Sequence, residues 1–316
     1  MNPAAELPLI SVVMATYNGE RFIGAQLNSI LEQTYPNLEL IIVDDGSTDG
    51  TANLLKQYAE RFNNIRLFFN EQNIGYVRNF EKGMLLAAGD FLALSDQDDI
   101  WDKQKLSLLM QEIGDHPVVY CNSELIDYNG NLTGKKLSDI KRLGDFDDCL
   151  SFLVGNSAPG HAMIIRRSLV RASVPLAPMI PHDHWLGFVA TLTGKIKFVD
   201  KVLVQYRQHN ANVFGAAKVK AEGEPVPAKK KKPGKETELA QIRERMRLQY
   251  EKCPESLVNE KKMLADVMQS YQDFSLMNNF KRMILFFRYN RRILAYKRRN
   301  QLRRWLFCLK MFYKIK

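Results

Sequence analysis

Three carboxylates fall within four positions in Ser95-Asp96-Gln97-Asp98-Asp99-Ile100-Trp101, directly after the apolar run Phe91-Leu92-Ala93-Leu94. Carboxylates this close repel one another and are stable together mainly when a hard cation takes up their charge. At the end of a buried strand, such a group can hold Mg²⁺ or Mn²⁺ and, through it, a phosphate. The plain alternative is an acidic turn capping a helix that starts near Asp102. This segment alone leaves both readings open.

The elements that must position these residues are legible upstream. Leu9 to Ala15 is a β-branched apolar run ending in Thr16-Tyr17-Asn18-Gly19. A helical stretch follows, with apolar residues at Phe22, Ile23, Leu27, Ile30 and Leu31. A second apolar run, Leu38 to Val43, then breaks into Asp44-Asp45-Gly46-Ser47-Thr48-Asp49-Gly50. Continuous apolar strands joined through helices predict a parallel sheet covered on both faces, and such sheets bind ligands beyond the carboxyl ends of their strands. Tyr17, Asp45 and Asp96 to Asp99 all fall on that edge.

Ala15-Thr16-Tyr17-Asn18-Gly19, Val43 to Asp49, Asn73-Ile74-Gly75 and Asp96-Gln97-Asp98-Asp99 resemble, in order and spacing, the successive signatures of the family 2 glycosyltransferases. Four motifs in order are far more specific than one. The resemblance runs from about Pro8 to about Phe214. It implies an α/β chain of the GT-A fold, a Rossmann-like nucleotide-diphosphosugar transferase fold with a mostly parallel central sheet, here with a C-terminal helical extension.

The resemblance also implies roles. Thr16, Tyr17 and Asp45 would hold the nucleobase of the donor; a carboxylate can accept the N3–H of uracil or thymine, and a tyrosine can stack on the ring. Asp44, Ser47, Thr48 and Asp49 are equally good turn and cap residues for a helix from Thr51 to Tyr58, and Asp49 is expected to serve mainly as a cap. Arg78 stands where similar enzymes carry an arginine that approaches the donor nucleotide; the alternative is a solvated arginine on a helix face. Asp96, Asp98 and Asp99 would surround Mn²⁺ or Mg²⁺ bridging the sugar diphosphate, with Asp98 and Asp99 as ligands and Asp98 the first choice. The metal would neutralise the leaving diphosphate.

Transfer with inversion also needs a base for the acceptor hydroxyl on the sugar face opposite the leaving group. Pro181-His182-Asp183-His184-Trp185 opens an apolar helix and resembles the segment where the family places its catalytic aspartate, which makes Asp183 the expected base; the alternative is that it only caps the helix. His182 and His184 are expected to be buried structural residues. Phe198 to His209 reads as two short strands around a turn. In similar enzymes such a Tyr-Arg-x-His segment folds over the site, so Arg207 or His209 would contact the diphosphate and exclude water. Gly155 to His161 looks like the part that shapes the acceptor pocket.

Other classes are disfavoured. The chain has neither G-x-G-x-x-G after the first strand nor a G-x-x-x-x-G-K-[ST] phosphate loop, against a dehydrogenase or P-loop kinase. Cys121, Cys149, Cys253 and Cys308 lack C-x-x-C spacing, which gives neither a zinc site nor a disulfide framework. The first residues show no leader pattern. A sugar-nucleotide nucleotidyltransferase would share the sheet, but Thr16 to Arg21 is a poor match to its glycine-rich basic loop. A non-catalytic membrane-bound scaffold of the same fold is the remaining alternative.

Composition divides the 316 residues into an expected catalytic domain at 1–217, a lysine- and proline-rich linker at 218–238 containing Lys229 to Lys232, and a helical region at 239–316. From Lys281 onward there are 13 lysines and arginines and no acid, against 32 basic and 35 acidic residues before it, so the tail carries the whole net charge of +10. In Leu302 to Tyr313, Leu302, Trp305, Leu306, Leu309, Phe312 and Tyr313 share one helical face, with Arg303, Arg304, Lys310 and Lys314 on the other. No apolar run approaches the ~20 residues of a spanning helix. The expectation is a cytoplasmic protein lying on the anionic inner face of the cell membrane, with no nucleic-acid module, although the same face could pack on the catalytic domain or on a second copy. The resemblance implies a sugar passed from a nucleoside diphosphate to a lipid-linked or polysaccharide acceptor in surface-glycan assembly. The likeness of residues 181–185 and 206–209 to rhamnosyltransferases implies dTDP-rhamnose, and UDP-sugars stay open because the base pocket would accept uracil nearly as well.

Overall fold

The computed structural model describes residues 7–210, 235–297 and 300–313. Strands and helices alternate at first: β1 (Ile10–Thr16), α1 (Glu20–Leu31), β2 (Leu38–Asp44), α2 (Thr51–Arg61), β3 (Ile65–Phe69), α3 (Tyr76–Leu86) and β4 (Phe91–Ser95). Then come β5 (Ile100–Trp101), α4 (Lys105–Glu112), β6 (Val118–Ile126), β7 (Leu132–Lys136), α5 (Leu137–Ile140), β8 (Met163–Arg166), α6 (Arg167–Ser173), α7 (His182–Thr193) and β9 (Ile196–Arg207). The remaining helices are α8 (Lys235–Lys252), α9 (Val258–Ser270), α10 (Leu276–Arg288), α11 (Asn290–Ile293) and α12 (Gln301–Tyr313). None of these helices is long and apolar enough to cross a membrane.

The sheet runs β3-β2-β1-β4-β8-β6-β9-β5, with β7 beside β6. Its first half is parallel, with Ile10 opposite both Leu38 and Phe91. Beyond β4 it is mixed: β8 is antiparallel to β4 and β6, while β6 and β9 are parallel. The period of two along each strand feeds two cores. Val13, Ile41 and Val43 pack with Val77, Phe80 and Met84 of α3, whereas Val12, Met14, Leu40 and Ile42 pack with Ile23, Leu27 and Ile30 of α1. Both faces are covered, which is why these strands read as unbroken apolar runs. At Gly83 a Cβ would lie 2.6 Å from Val13 Cγ1, so the glycine lets α3 sit directly on β1.

The sheet order explains where the acidic motif lies. The five peptide steps from Ser95 to Ile100 span at most about 18 Å when fully extended, yet β5 lies four strand positions from β4, about 19 Å across a flat sheet. The connection is bent at Gln97 and Asp98, so the sheet must curl until its far edge approaches β4. Asp96 to Asp99 bridge that closure.

Two expectations are corrected here. Phe198 to His209 is not two strands around a turn: β9 is one strand whose register jumps from Cys121↔Val199 to Asn122↔Val202 to Ser123↔Val204. Asp200, Lys201 and Leu203 are absorbed as bulges, so the polar pair that reads as a turn is an interruption within the pairing. The helix expected near Asp102 begins at Lys105, because Ile100 and Trp101 first pair with β9. In addition, α8 already begins at Lys235, inside the expected linker, and residues 218–234 lie outside the described residues, as do Phe214 and Lys314.

The C-terminal helices share the core of the sheet, where Met246, Leu264, Phe286 and Cys308 join Leu150 and Phe152. Arg282 is fully buried; it donates to Ser270 O (2.5 Å), the Asn279 side chain and Met311 O (3.4 Å), pinning α9, α10 and α12 together. Arg292 pairs with Asp148 (2.6 Å), and Gln249 donates to Phe152 O (3.0 Å). In α12 the inward residues are Cys308 and Met311, while Leu302, Trp305, Leu306, Leu309 and Tyr313 are 42–67% exposed. The apolar face read from the sequence therefore has no cover within the described chain, apart from the half-buried Phe312. All four cysteines are buried and free.

Candidate active site

Beyond the carboxyl ends of β1, β2 and β4 lies a cavity of ≈ 1210 Å³, whose lining includes Tyr17, Asp45, Asp96, Asp98 and Asp183. A smaller cleft, between Asp90 and Arg171, lies at the other end of β4 and gathers no comparable chemistry.

The loop after β1 is shaped by hydrogen bonds to its backbone. Gln97 accepts from Tyr17 N–H (2.8 Å) and donates to Tyr17 O (3.1 Å). Gly19 makes this approach feasible, since a Cβ there would lie 2.4 Å from the Gln97 amide oxygen. Asn18 takes φ +49°, a region asparagine tolerates. Thr16 is buried and donates to Asp44 (3.3 Å), and the Tyr17 side chain stays 45% exposed at the cavity lip. Asp44 accepts from Ser47 N–H and Oγ–H, the turn use expected of it; Asp49 accepts from Thr51 N–H and Oγ1–H at the start of α2, although the N-cap position itself is Gly50.

Asp45 does more than face the cavity. Its Oδ1 accepts from Asn70 and Ile74 N–H (both 2.8 Å) and its Oδ2 from Gly75 N–H (2.9 Å), which fixes the 73–75 loop where Gly75 takes φ +85°. Arg78 is not among the cavity residues; it pairs with Glu81 on its own helix.

The acidic motif is layered. Asp96 and Asp98 line the cavity, and Asp98 Oδ2 lies 2.6 Å from His209 Nε2. The His209 ring stacks on Phe22 (5.1 Å), and Phe22 meets the edge of Tyr128 (5.4 Å). Asp99 is fully buried beneath them. Its Oδ1 accepts from Arg207 N–H (3.0 Å), while Oδ2 has no hydrogen-bond partner among the described residues. Arg207 does not line the cavity; its guanidinium donates to Asp98 O, Asp127 O and Tyr128 O, tying the motif to the loop after β6.

His161 completes the floor. Its ring stacks on Tyr206 (4.2 Å), Nε2 meets Ser123 Oγ (3.0 Å), and Nδ1 lies 3.9 Å from Asp96 and 4.0 Å from Asp99. One ligand atom from each of Asp96, Asp99 and His161 lies within 4.8 Å of the others. Burial, then repulsion from Asp98 and Asp96, pushes the Asp99 carboxyl well up; desolvation, then Asp98 and Asp183, raises Asp96, although its side chain keeps 42% exposure. Burial holds His161 neutral, the form a metal requires. An unpartnered buried carboxylate oxygen, a neutral imidazole and crowded acids fit a divalent cation. Lys105, fully buried, donates to His161 O (2.6 Å) and sits over the Trp101 ring, with burial lowering its pKa to about 7.

Asp183 lies in the first turn of α7, and its charge reaches Asp96. It accepts from Gly160 N–H (3.2 Å) and from His184 N–H (2.7 Å), so Gly155 to His161 and the helix start are locked together around it. His184 bonds to Phe152 O (2.5 Å), and burial holds its pKa down to about 4; His182 is buried against Phe80 (3.9 Å). Both are buried, as expected, and both also contribute to the cavity lining.

Comparison with known proteins matches residues 11–173 to the model of glycosyl transferase family 2. The chain belongs to that family. It is 29% identical over 212 residues to an uncharacterized glycosyltransferase of Nostoc, alr2836, a match covering 64% of this chain and 66% of that protein. It is 31% identical over 224 residues to the putative glycosyltransferase EpsH of Bacillus subtilis, covering 66% and 63%. A shorter match, 40% over 99 residues, is to the putative teichuronic acid biosynthesis glycosyltransferase TuaG of the same organism, covering 31% of this chain and 39% of that one. The first two matches span just under two thirds of those relatives. TarS 1–349 of S. aureus superposes with a TM-score of 0.56 at 19% identity, covering 90% of this chain and 80% of that one, and shows the shared GT-A type fold; its structures include complexes with UDP-GlcNAc and with UDP. The family match ends before α7, so the place of Asp183 rests on geometry.

Proposed function

We propose that this protein is an inverting, metal-dependent glycosyltransferase of surface-glycan assembly. The observation that carries the reading is that Tyr17, Asp45, Asp96, Asp98 and Asp183, from distant segments, all line one cavity at the strand ends. The donor is a nucleoside-diphosphate sugar. Tyr17 and Asp45 hold its base, and Asp45 Oδ2 keeps a lone pair beyond its bond to Gly75. The complexes of TarS with UDP-GlcNAc and UDP favour a UDP-sugar; dTDP-rhamnose rests on the motif likeness alone.

Asp98, with Asp96 beside it and Asp99 and His161 beneath, would hold Mn²⁺ or Mg²⁺, which supplies charge neutralisation for the leaving diphosphate. His209, clamped by Phe22 and Tyr128, orients Asp98. Arg207 fixes the backbone of the motif, and Arg78 stands away from the cavity. Asp183 takes the proton of the acceptor hydroxyl, and its two backbone hydrogen bonds, from Gly160 and His184, hold the carboxylate in place at the cavity. The acceptor is a lipid-linked or polysaccharide glycan at the inner membrane face. The uncovered apolar face of α12, in a tail without acids, supports that placement.

Calorimetric titration with UDP and dTDP, each with and without Mn²⁺, tests the reading. Metal-dependent binding of one nucleotide is expected, lost in Asp98→Ala and retained in Asp183→Asn, which loses turnover. Binding of neither nucleotide under any condition would remove the proposal.

A further inference from the structure

The same cavity has a basic wall that the transfer step does not use. Lys141, just after α5, and Arg245, on α8, line it together with Asp183 and His184. Neither side chain makes a hydrogen bond or ion pair with any described residue, and Arg245 Nε is buried without a partner. Both cations act on the buried imidazole of His184, and Lys141 also on that of His161; both rings are neutral, and His184 is bonded to Phe152 O, so neither offers a countercharge. Asp183 is the carboxylate whose field reaches Lys141. Burying a cation without a partner is costly, and burial lowers the pKa of both groups. Two such cations on the wall of an open cavity are the arrangement that an anion resolves. A forked guanidinium beside an ammonium suits phosphate oxygens.

We propose that Lys141 and Arg245 form a phosphate site on the acceptor side of the cavity, so that the molecule receiving the sugar carries a phosphate or diphosphate ester near the hydroxyl presented to Asp183. The term acceptor rests on the glycosyl-transfer reading; the anion site does not. Lys141 and Arg245 both reach His184, the neighbour of Asp183, whereas the cation that acts on Asp96 and Asp99 is Lys105. The acidic motif would repel a diphosphate that comes without a metal, while Lys141 and Arg245 attract phosphate without one. Donor and acceptor phosphates are thereby sorted by whether they need a cation to bind.

The full chain titrated with inorganic pyrophosphate in EDTA, followed by calorimetry, tests this. Wild type is expected to bind, Lys141→Gln and Arg245→Gln to bind at least about tenfold more weakly, the loss of one charge-assisted contact, and Arg245→Lys to recover part of the loss. UDP binding with Mn²⁺ is expected to stay unchanged in all three. No pyrophosphate binding by wild type, equal binding by the folded Gln variants, or a parallel loss of UDP binding would each overturn the site. A failure of wild type to bind UDP would instead strike the glycosyltransferase reading and leave the pyrophosphate result standing. Competition with geranyl diphosphate and with glycerophosphoglycerol separates a lipid diphosphate from a phosphodiester polymer, and displacement by neither would overturn the acceptor assignment.

Discussion

At the scale of single residues the acidic floor sets a pH dependence. Asp96 and Asp99 have raised carboxyl pKa values in the folded state, so between the ordinary carboxylate value and the folded value the native protein holds protons that the unfolded chain has released. Their contribution to stability is present at low pH and is lost as pH rises through the folded values, with Asp96 near about 7. Asp49 and Asp127 have lowered values and act in the opposite sense. The discriminating quantity is therefore the rise in melting temperature on adding Mn²⁺, which is expected to grow from pH 5 to pH 8 as the cation stops competing with protons. A Mn²⁺ increment that is flat or shrinks with pH would contradict the assignment. Of this floor Asp96 and Asp99 were legible by type and spacing, whereas His161, read only as part of the 155–161 segment, is brought to them by the fold. Lys105 was not legible: in Lys105-Leu106-Ser107-Leu108 a lysine reads as solvated, and only the curl of the sheet buries it. Lys141 and Arg245 are equally ordinary in sequence, since their meaning lies in a convergence of distant segments.

At the scale of elements, β1, β2 and β4 were read correctly because strands covered on both faces leave continuous β-branched runs. The single strand β9 was misread because its bulge places Asp200-Lys201 where a turn would put them. The helical pattern of α12 was also legible, down to the face that the fold leaves open. Leu302, Trp305, Leu306, Leu309 and Tyr313 form an apolar stripe beside Arg303 and Lys310, suited to an anionic interface. Leu306→Glu is expected to weaken sedimentation with phosphatidylglycerol vesicles by about tenfold or more, the loss of one buried leucine. Pure phosphatidylcholine should bind less, and salt should weaken what remains. Unchanged vesicle binding, with a dimer dispersed by the same substitution, would assign this face to a second copy of the chain.

At the scale of the whole molecule, the C-terminal helices and the sheet share one core, and the contact at Gly155 shows how closely. A Cβ there would lie 2.4 Å from the Tyr296 ring, and Ser157 donates to Tyr296 O (3.0 Å). Gly155→Ala is expected to cost about 1–3 kcal/mol by overpacking and to be relieved in thermal unfolding by adding Tyr296→Leu; an unshifted melting temperature would show that the ring yields freely. Since residues 155–161 lead directly into the hydrogen bond at Asp183, the glycine ties the surroundings of Asp183 to a distant stretch of chain. Recombination between relatives that exchanged the first half alone would bring a foreign segment against Tyr296 and break that fit. The unit that can be inherited or grafted intact is thus the loop before β8 together with the helices behind it; under the proposed glycosyl transfer, acceptor choice should travel with that unit and donor choice with the first four strands.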